Sequence, residues 1–170
     1  PFASLSDSIK KDVKNHELWF RRAVLLNSNN LPEPSLADFQ KAWSLKKEEK
    51  YAVAIGTLLL DKQPDSAIQF LRVALKEIPG SFLLRLGLAR SYTAQNKPDE
   101  ALGICNDILA MNPGQVDVLK LKADLLDKKG MGTEAITILE NAYHITPFDV
   151  ELNYVLALRY AESKNPKLLA

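Results

Sequence analysis

Apolar residues recur along this chain at intervals of three and four, the spacing that lines one face of an α-helix. The clearest stretch follows Phe82, where Leu84, Leu88 and Tyr92 stand four apart and Leu83 and Leu86 widen the apolar surface to other sides. Gln95-Asn96-Lys97-Pro98 interrupts the pattern, because proline cannot continue a helix, and Asp99 is then expected to serve as N-cap of the next one. Ala101, Leu102, Cys105, Ile108 and Leu109 predict that second helix, and Asn112-Pro113-Gly114 ends it. Neither helix can bury its stripe alone, so the pair needs neighbours stacked against it.

The pair repeats. Pro79, Pro113 and Pro147 are 34 residues apart, and Ala67, Ala101 and Ala135 keep the same interval, as do Asp65, Asp99 and Thr133. Pro64 and Pro98 share it, and Pro166 follows at twice the distance. In register, the units are 48–81, 82–115 and 116–149, preceded by a unit two residues shorter at 16–47 and followed by a partial one at 150–170. Residues 1–15 read as the tail of a preceding unit: Leu5 and Ile9 fit one helix face, and Val13 sits where proline stands elsewhere. The 170 residues are thus read as a single array. Ala67, Ala101 and Ala135 fall where two helices must approach closely, so a larger side chain there would overpack the contact at roughly 1–3 kcal/mol.

These residues resemble the tetratricopeptide-repeat (TPR) family, whose units favour large, Leu, Gly and Tyr positions in the first helix (A), Ala, Phe and Ala in the second (B), and a closing Pro. Leu88, Tyr92, Ala101 and Pro113 match, with Ala89 in the glycine slot. In the next unit Ala123 takes that slot, Leu126 and Leu139 take aromatic slots, and Ala135, Ala142 and Pro147 match. Trp19, Ala23, Phe39 and Ala42 serve the first full unit, and Leu156, Ala157 and Tyr160 keep the helix A pattern in the last. Lys122 replaces the usual leucine and Lys47 the usual proline, while Gly56 falls one place after the glycine slot, where Ile55 stands. The resemblance implies an all-α fold, a right-handed α-α superhelix of stacked helix pairs.

Composition narrows the function. The apolar share is 46%, charged residues make up 25% and the net charge is +1, the balance of a folded chain without the basic stripe that nucleic acid requires. Apolar runs such as Ala52 to Leu60 are far short of the roughly 20 residues needed for membrane insertion. The chain begins at Pro1 and not Met, so a start removed either by processing or by design is expected; a cleaved export signal is compatible with this, though none is visible. His16 and His144 are far apart, and neither has a partner at metal-ligand spacing, so no metal or other cofactor is expected. The single cysteine, Cys105, occupies a helix B packing slot shared with Phe39, Leu71 and Leu139. Gly130-Met131-Gly132 lies in a turn with no phosphate-loop sequence after it, and Lys46-Lys47-Glu48-Glu49-Lys50 reads as a solvated mixed-charge turn. No acid, base and nucleophile converge, which argues against an enzyme.

Resemblance to the family places the binding surface on the A helices, at Phe20, Arg21, Val24 and Asn27, then Glu49, Ala52, Val53 and Gly56, then Leu83, Leu86, Gly87 and Arg90. It continues through Asp117, Lys120, Leu121, Asp124, Asp127 and Lys128 to Glu151, Tyr154, Val155 and Glu162. The residues expected to contact a partner are Phe20, Arg21, Val24, Leu83, Leu86, Arg90, Lys120, Asp124, Asp127 and Tyr154. Leu83 and Leu86 are expected to form an exposed apolar patch, and the later positions an acidic one. Phe20 and Val24 stand where a Lys and Asn clamp for acidic peptide tails would need its residues, which disfavours that ligand. The expected function is a scaffold for a protein or peptide, with no nucleic acid partner; the alternative is a structural module that stacks on further repeats or self-associates through exposed array ends. The resemblance is compatible with a bacterial cytoplasmic or envelope adaptor and does not choose between them.

Overall fold

A computed structural model describes residues 2–163, which form ten α-helices with no strand among the described residues. In chain order these are α1 (Phe2–Lys11), α2 (His16–Ser28), α3 (Pro32–Leu45), α4 (Glu49–Lys62) and α5 (Pro64–Glu77). They continue with α6 (Phe82–Ala94), α7 (Pro98–Met111), α8 (Val116–Lys128), α9 (Gly132–Ile145) and α10 (Val150–Glu162). Packing divides the chain into two compact units, Pro1–Gln95 and Asn96–Ala170. The segment 82–115, read above as one repeat, therefore gives α6 to the first unit and α7 to the second. Pro166 lies outside the described residues.

Local chemistry explains where the helices start and stop. Pro32, Pro64 and Pro98 open α3, α5 and α7, because proline lacks the amide that the first helical position leaves unpaired anyway. Asp99 is consequently not the N-cap expected of it. Lys97 holds that place, and Asp99 sits in the first turn of α7 with its carboxylate bonded to Lys129. Side-chain caps occur at the A helices: Ser81 Oγ accepts from Leu84 N at 3.0 Å for α6, and Asp149 Oδ1 from Leu152 N at 3.0 Å for α10. Asn30, Asn96 and Gly130 end α2, α6 and α8 with φ of 57°, 56° and 76°, the left-handed turn that asparagine and glycine accept at least cost.

In the first unit α2 packs on α3, α4 on α5 and α5 on α6, and α4 also meets α6 directly. Its core includes Phe39, Tyr51, Ile55, Leu71 and Leu84, with Ala23, Ala67, Ala74 and Ala89 fully buried between helices. In the second unit α8 packs on α9 and α9 on α10 around Leu119, Ala123, Leu126, Ala135, Leu139, Ala142, Leu152 and Leu156. The small residues singled out by their spacing, Ala67, Ala101 and Ala135, are all at most 1% exposed. Cys105 is equally buried, and desolvation pushes its thiol up to about 11.

Candidate functional site

The A helices of the first unit present two different surfaces. Near the start of α2, the half-buried Phe20 ring lies 5.5 Å from Phe39 and 5.1 Å from Tyr51, with the Lys50 ammonium 5.0 Å above it. Lys50 bonds Glu17 at 2.8 Å and Glu48 at 3.3 Å, which raises its affinity for its proton and lowers the Glu17 carboxyl in return. Tyr51 accepts or donates to His16 Nδ1 at 2.6 Å, and burial, with Glu48 nearby, pushes its phenol up to about 12. A cation-bearing hydrogen-bond network thus covers this end of the face. The mixed-charge turn at 46–50 is therefore organised: Lys47 donates to Trp43 O at 3.0 Å and lies over the Trp43 ring. Arg21 is exposed and 3.9 Å from Glu17, and Val24 is 47% exposed.

Farther along, α4, α5 and α6 frame a cleft of about 120 Å³ lined by Val53, Gly56, Thr57, Leu60, Leu71, Leu83, Leu86, Gly87 and Arg90. It opens beside Gly87, where the A helix carries no side chain, while Leu71 fills the space that Gly56 leaves. A Cβ placed at Gly56 would lie 2.8 Å from Leu71 Cδ2, and one at Gly87 3.5 Å from Leu71 Cδ1. Leu83 stands on the rim, 47% exposed. Leu86 does not join it as an exposed pair. At 5% exposure it belongs to the packed wall, because α4 and α6 touch and close over that position. Ala52, another expected surface position, is fully buried for the same reason. Arg90 is exposed, and its guanidinium has no hydrogen-bond or ion-pair partner among the described residues.

The A helices of the second unit carry charge, most of it already paired. Lys120 bonds Glu151 and lies 3.7 Å from Asp149, and Asp127 meets Arg159 at 2.7 Å, which in turn reaches Glu162 at 3.2 Å. The acidic face is thus less open than the sequence suggests, because Arg159, absent from the expected set, neutralises Asp127. Asp124 is exposed, yet lost hydration raises its carboxyl above the ordinary value, against the pull of Arg159 and Lys128. Asp117 is exposed. Tyr154 is 66% exposed, although it stands 68 residues after the buried Leu86 at the same repeat position. Tyr143, Ile145, Phe148, Val150 and Leu158 are exposed apolar residues of the same unit. On α9 and α10 a recess of about 400 Å³ is lined by Glu140, Tyr143, His144, Asn153, Leu156, Ala157 and Tyr160, and the Tyr160 hydroxyl bonds Glu140.

The ten expected contact residues fall on four helices, α2, α6, α8 and α10. Leu83, Leu86 and Arg90 meet at the cleft, Phe20, Arg21 and Val24 lie on α2, and Lys120, Asp124, Asp127 and Tyr154 lie on α8 and α10. Sequence reasoning missed the buried pair in which Arg22 Nε and NH2 donate to Asp38 at 2.6 and 2.8 Å. A basic residue on helix A and an acidic one inside helix B was its only signal.

Comparison with known proteins now bears on this arrangement. A tetratricopeptide-repeat family model matches residues 58–125. The helix pairs are of the TPR kind. A protein of Sinorhizobium fredii, "Uncharacterized protein y4yS", is 30% identical over 97 residues, 57% of this chain and 53% of that one, so the matched stretch spans about half the length of that relative. Among solved structures, Pseudomonas aeruginosa pilF superposes with a TM-score of 0.78 at 19% identity over 96% of this chain and 75% of its own. YrrB, described as a TPR protein with an unusual peptide-binding site, has a TM-score of 0.69 at 20% identity over 95% and 84%. The fold class is the all-α TPR solenoid of stacked helix pairs, an architecture used for protein–protein interaction scaffolds. No helix among the described residues is long and apolar enough to cross a membrane, and no group of three metal-ligating side chains converges among them.

Proposed function

We propose that this chain is a non-enzymatic scaffold that holds a peptide or protein segment on the exposed face of its A helices, with the repeats 16–47, 48–81, 82–115 and 116–149 as its building blocks. The observation that carries this reading is the cleft on α4 and α6. It is an apolar hollow on a face that the TPR core does not need, edged by the exposed Leu83 and the unpartnered Arg90. The likeness to YrrB, a protein described as binding peptide, supports it. Apolar contact there would supply most of the affinity, at about 25 cal/mol per Å² before association costs. On the second unit, Asp117 and Asp124 would attract basic partner residues, affecting on-rate more than affinity and fading with salt. The test is selection of a random peptide library on the immobilised chain, followed by titration of the enriched peptides. Saturable binding supports the reading, and failure to enrich any peptide contradicts it.

A second reading, self-association, is favoured by one specific observation: Phe148 and Val150 are 93% and 82% exposed, and Tyr143, Ile145, Tyr154 and Leu158 are exposed in the same unit. Sedimentation at rising concentration should then show a dimer that Phe148→Glu removes. A monomer throughout would discard it.

A further inference from the structure

We propose that the cleft on α4 and α6 is a single-side-chain pocket that takes one aliphatic residue of a bound peptide, while Arg90 holds a carboxylate next to that residue. This rests on the peptide-scaffold reading and specifies what the cleft recognises. The floor is the first argument. Leu71 of α5, 1% exposed, fills the space that Gly56 leaves, and the cleft opens above it beside Gly87, where a Cβ would stand an ordinary 3.5 Å from Leu71 Cδ1. One repeat before and after Gly87 the chain carries Val53 and Leu121, so the fold accepts a branched side chain at this position and the opening at Gly87 is particular to this site.

Size is the second argument. An apolar cavity of roughly 150 Å³ is filled by benzene. A cleft of about 120 Å³ walled by Val53, Leu60, Leu71 and Leu86 therefore suits a Leu, Ile, Val or Met side chain and is small for an aromatic ring. The third argument is charge. Of the six arginines, Arg21, Arg22 and Arg159 sit in ion pairs, and Arg72 and Arg85 donate to Tyr92 and to Pro79 O. Arg90 alone among them has no such partner among the described residues, and it lines this cleft. A rigid guanidinium fork beside an apolar hollow complements a carboxylate attached near an aliphatic side chain. That carboxylate is the side chain of an Asp or Glu, since Phe20 and Val24 stand where a clamp for an acidic peptide tail would need its residues.

The experiment is a random heptapeptide selection on the full 170-residue chain and on its Gly87→Val and Arg90→Gln variants. Enriched peptides are then titrated with free and with amidated C-termini. The wild type should enrich an aliphatic residue with a carboxylate within about two positions, the reach of one arginine side chain. Gly87→Val should keep the helical circular dichroism spectrum and weaken binding about ten- to a hundredfold, the worth of burying one such side chain. Arg90→Gln should weaken it about three- to tenfold and abolish the preference for the acid. Binding that survives amidation supports an acidic side chain, and an equal loss on amidation would overturn that choice in favour of the C-terminus. If enriched peptides lack this pattern, or bind Gly87→Val as tightly as wild type, the pocket assignment is overturned while the scaffold reading stands. If no peptide is enriched, both fall.

Discussion

The two A-helix faces start from one repeat and end in opposite chemistry. On α4 and α6 of the first unit, an apolar cleft opens beside Gly87, and Arg90 on its rim has no ion-pair partner among the described residues. On α8 and α10 of the second, Leu121 and Asp124 stand at the positions of Gly87 and Arg90, and Lys120, Asp127, Glu151 and Arg159 are joined in ion pairs. The buried alanines are the same in both: Ala67 and Ala135 in the B helices, Ala89 and Ala123 in the A helices. The difference teaches where the fold leaves room for choice. Positions that must pass another helix at close range are held to alanine, and positions facing outward from the A helices vary with no cost to packing.

The sharpest way to break this comparison is through the ion pairs. Asp38, which is 5% exposed, accepts two bonds from Arg22, a guanidinium that keeps 23% of its surface, so Asp38→Ala should cost about 1–3 kcal/mol by leaving those donors without their acceptor. Asp127→Ala breaks a pair whose side chains keep 28% and 30% of their surface and should cost at most about 1 kcal/mol. Urea denaturation distinguishes them, and equal midpoints would show that the first pair is not structural. Next come the alanines: Ala67→Leu and Ala135→Leu should each destabilise by roughly 1–3 kcal/mol, whereas Lys97→Ala at the surface should do little. A tolerated leucine at either site would mean that the helix contact there has spare volume.

The glycines follow. Gly87→Ala should stabilise by up to about 1 kcal/mol, because its new methyl would sit at an ordinary 3.5 Å from Leu71 and a helix favours alanine. Gly56→Ala gains the same propensity but brings its methyl to 2.8 Å from Leu71 Cδ2, which must swing toward the cleft to make way, so it should stabilise less than Gly87→Ala or not at all. Matching thermal midpoints for the two variants would refute the steric account of the cleft floor. The smallest effect is alkaline. Tyr51 and Tyr160 are both pushed up from 10 to about 12, chiefly by desolvation, so they hold their protons more tightly folded than unfolded. Their share of stability is complete below about pH 10 and lost as pH rises through 12. Tyr51→Phe and Tyr160→Phe should each flatten that limb of the stability curve.

Most of the architecture is legible in the sequence because it rests on short-range rules. The 34-residue recurrence of proline and alanine marks the helix starts and close contacts, and Ala67, Ala101 and Ala135 are buried as their spacing requires. The site was read less well, for two physical reasons. An outward helix position is exposed only if no neighbouring A helix closes over it: Leu86 is covered by α4, while Tyr154 at the same repeat position remains 66% exposed. Ion pairs such as Lys50 with Glu17 and Arg159 with Asp127 join residues a full repeat apart, so which charges are free follows from packing and not from local sequence.

The most direct test is to titrate the isotopically labelled chain with a peptide selected on it and follow the backbone amide resonances. The account predicts shifts concentrated at Val53, Gly56, Thr57, Leu83, Gly87 and Arg90, and their disappearance in Gly87→Val. Shifts confined instead to Tyr143, Ile145, Phe148 and Val150, with the cleft residues unmoved, would contradict it.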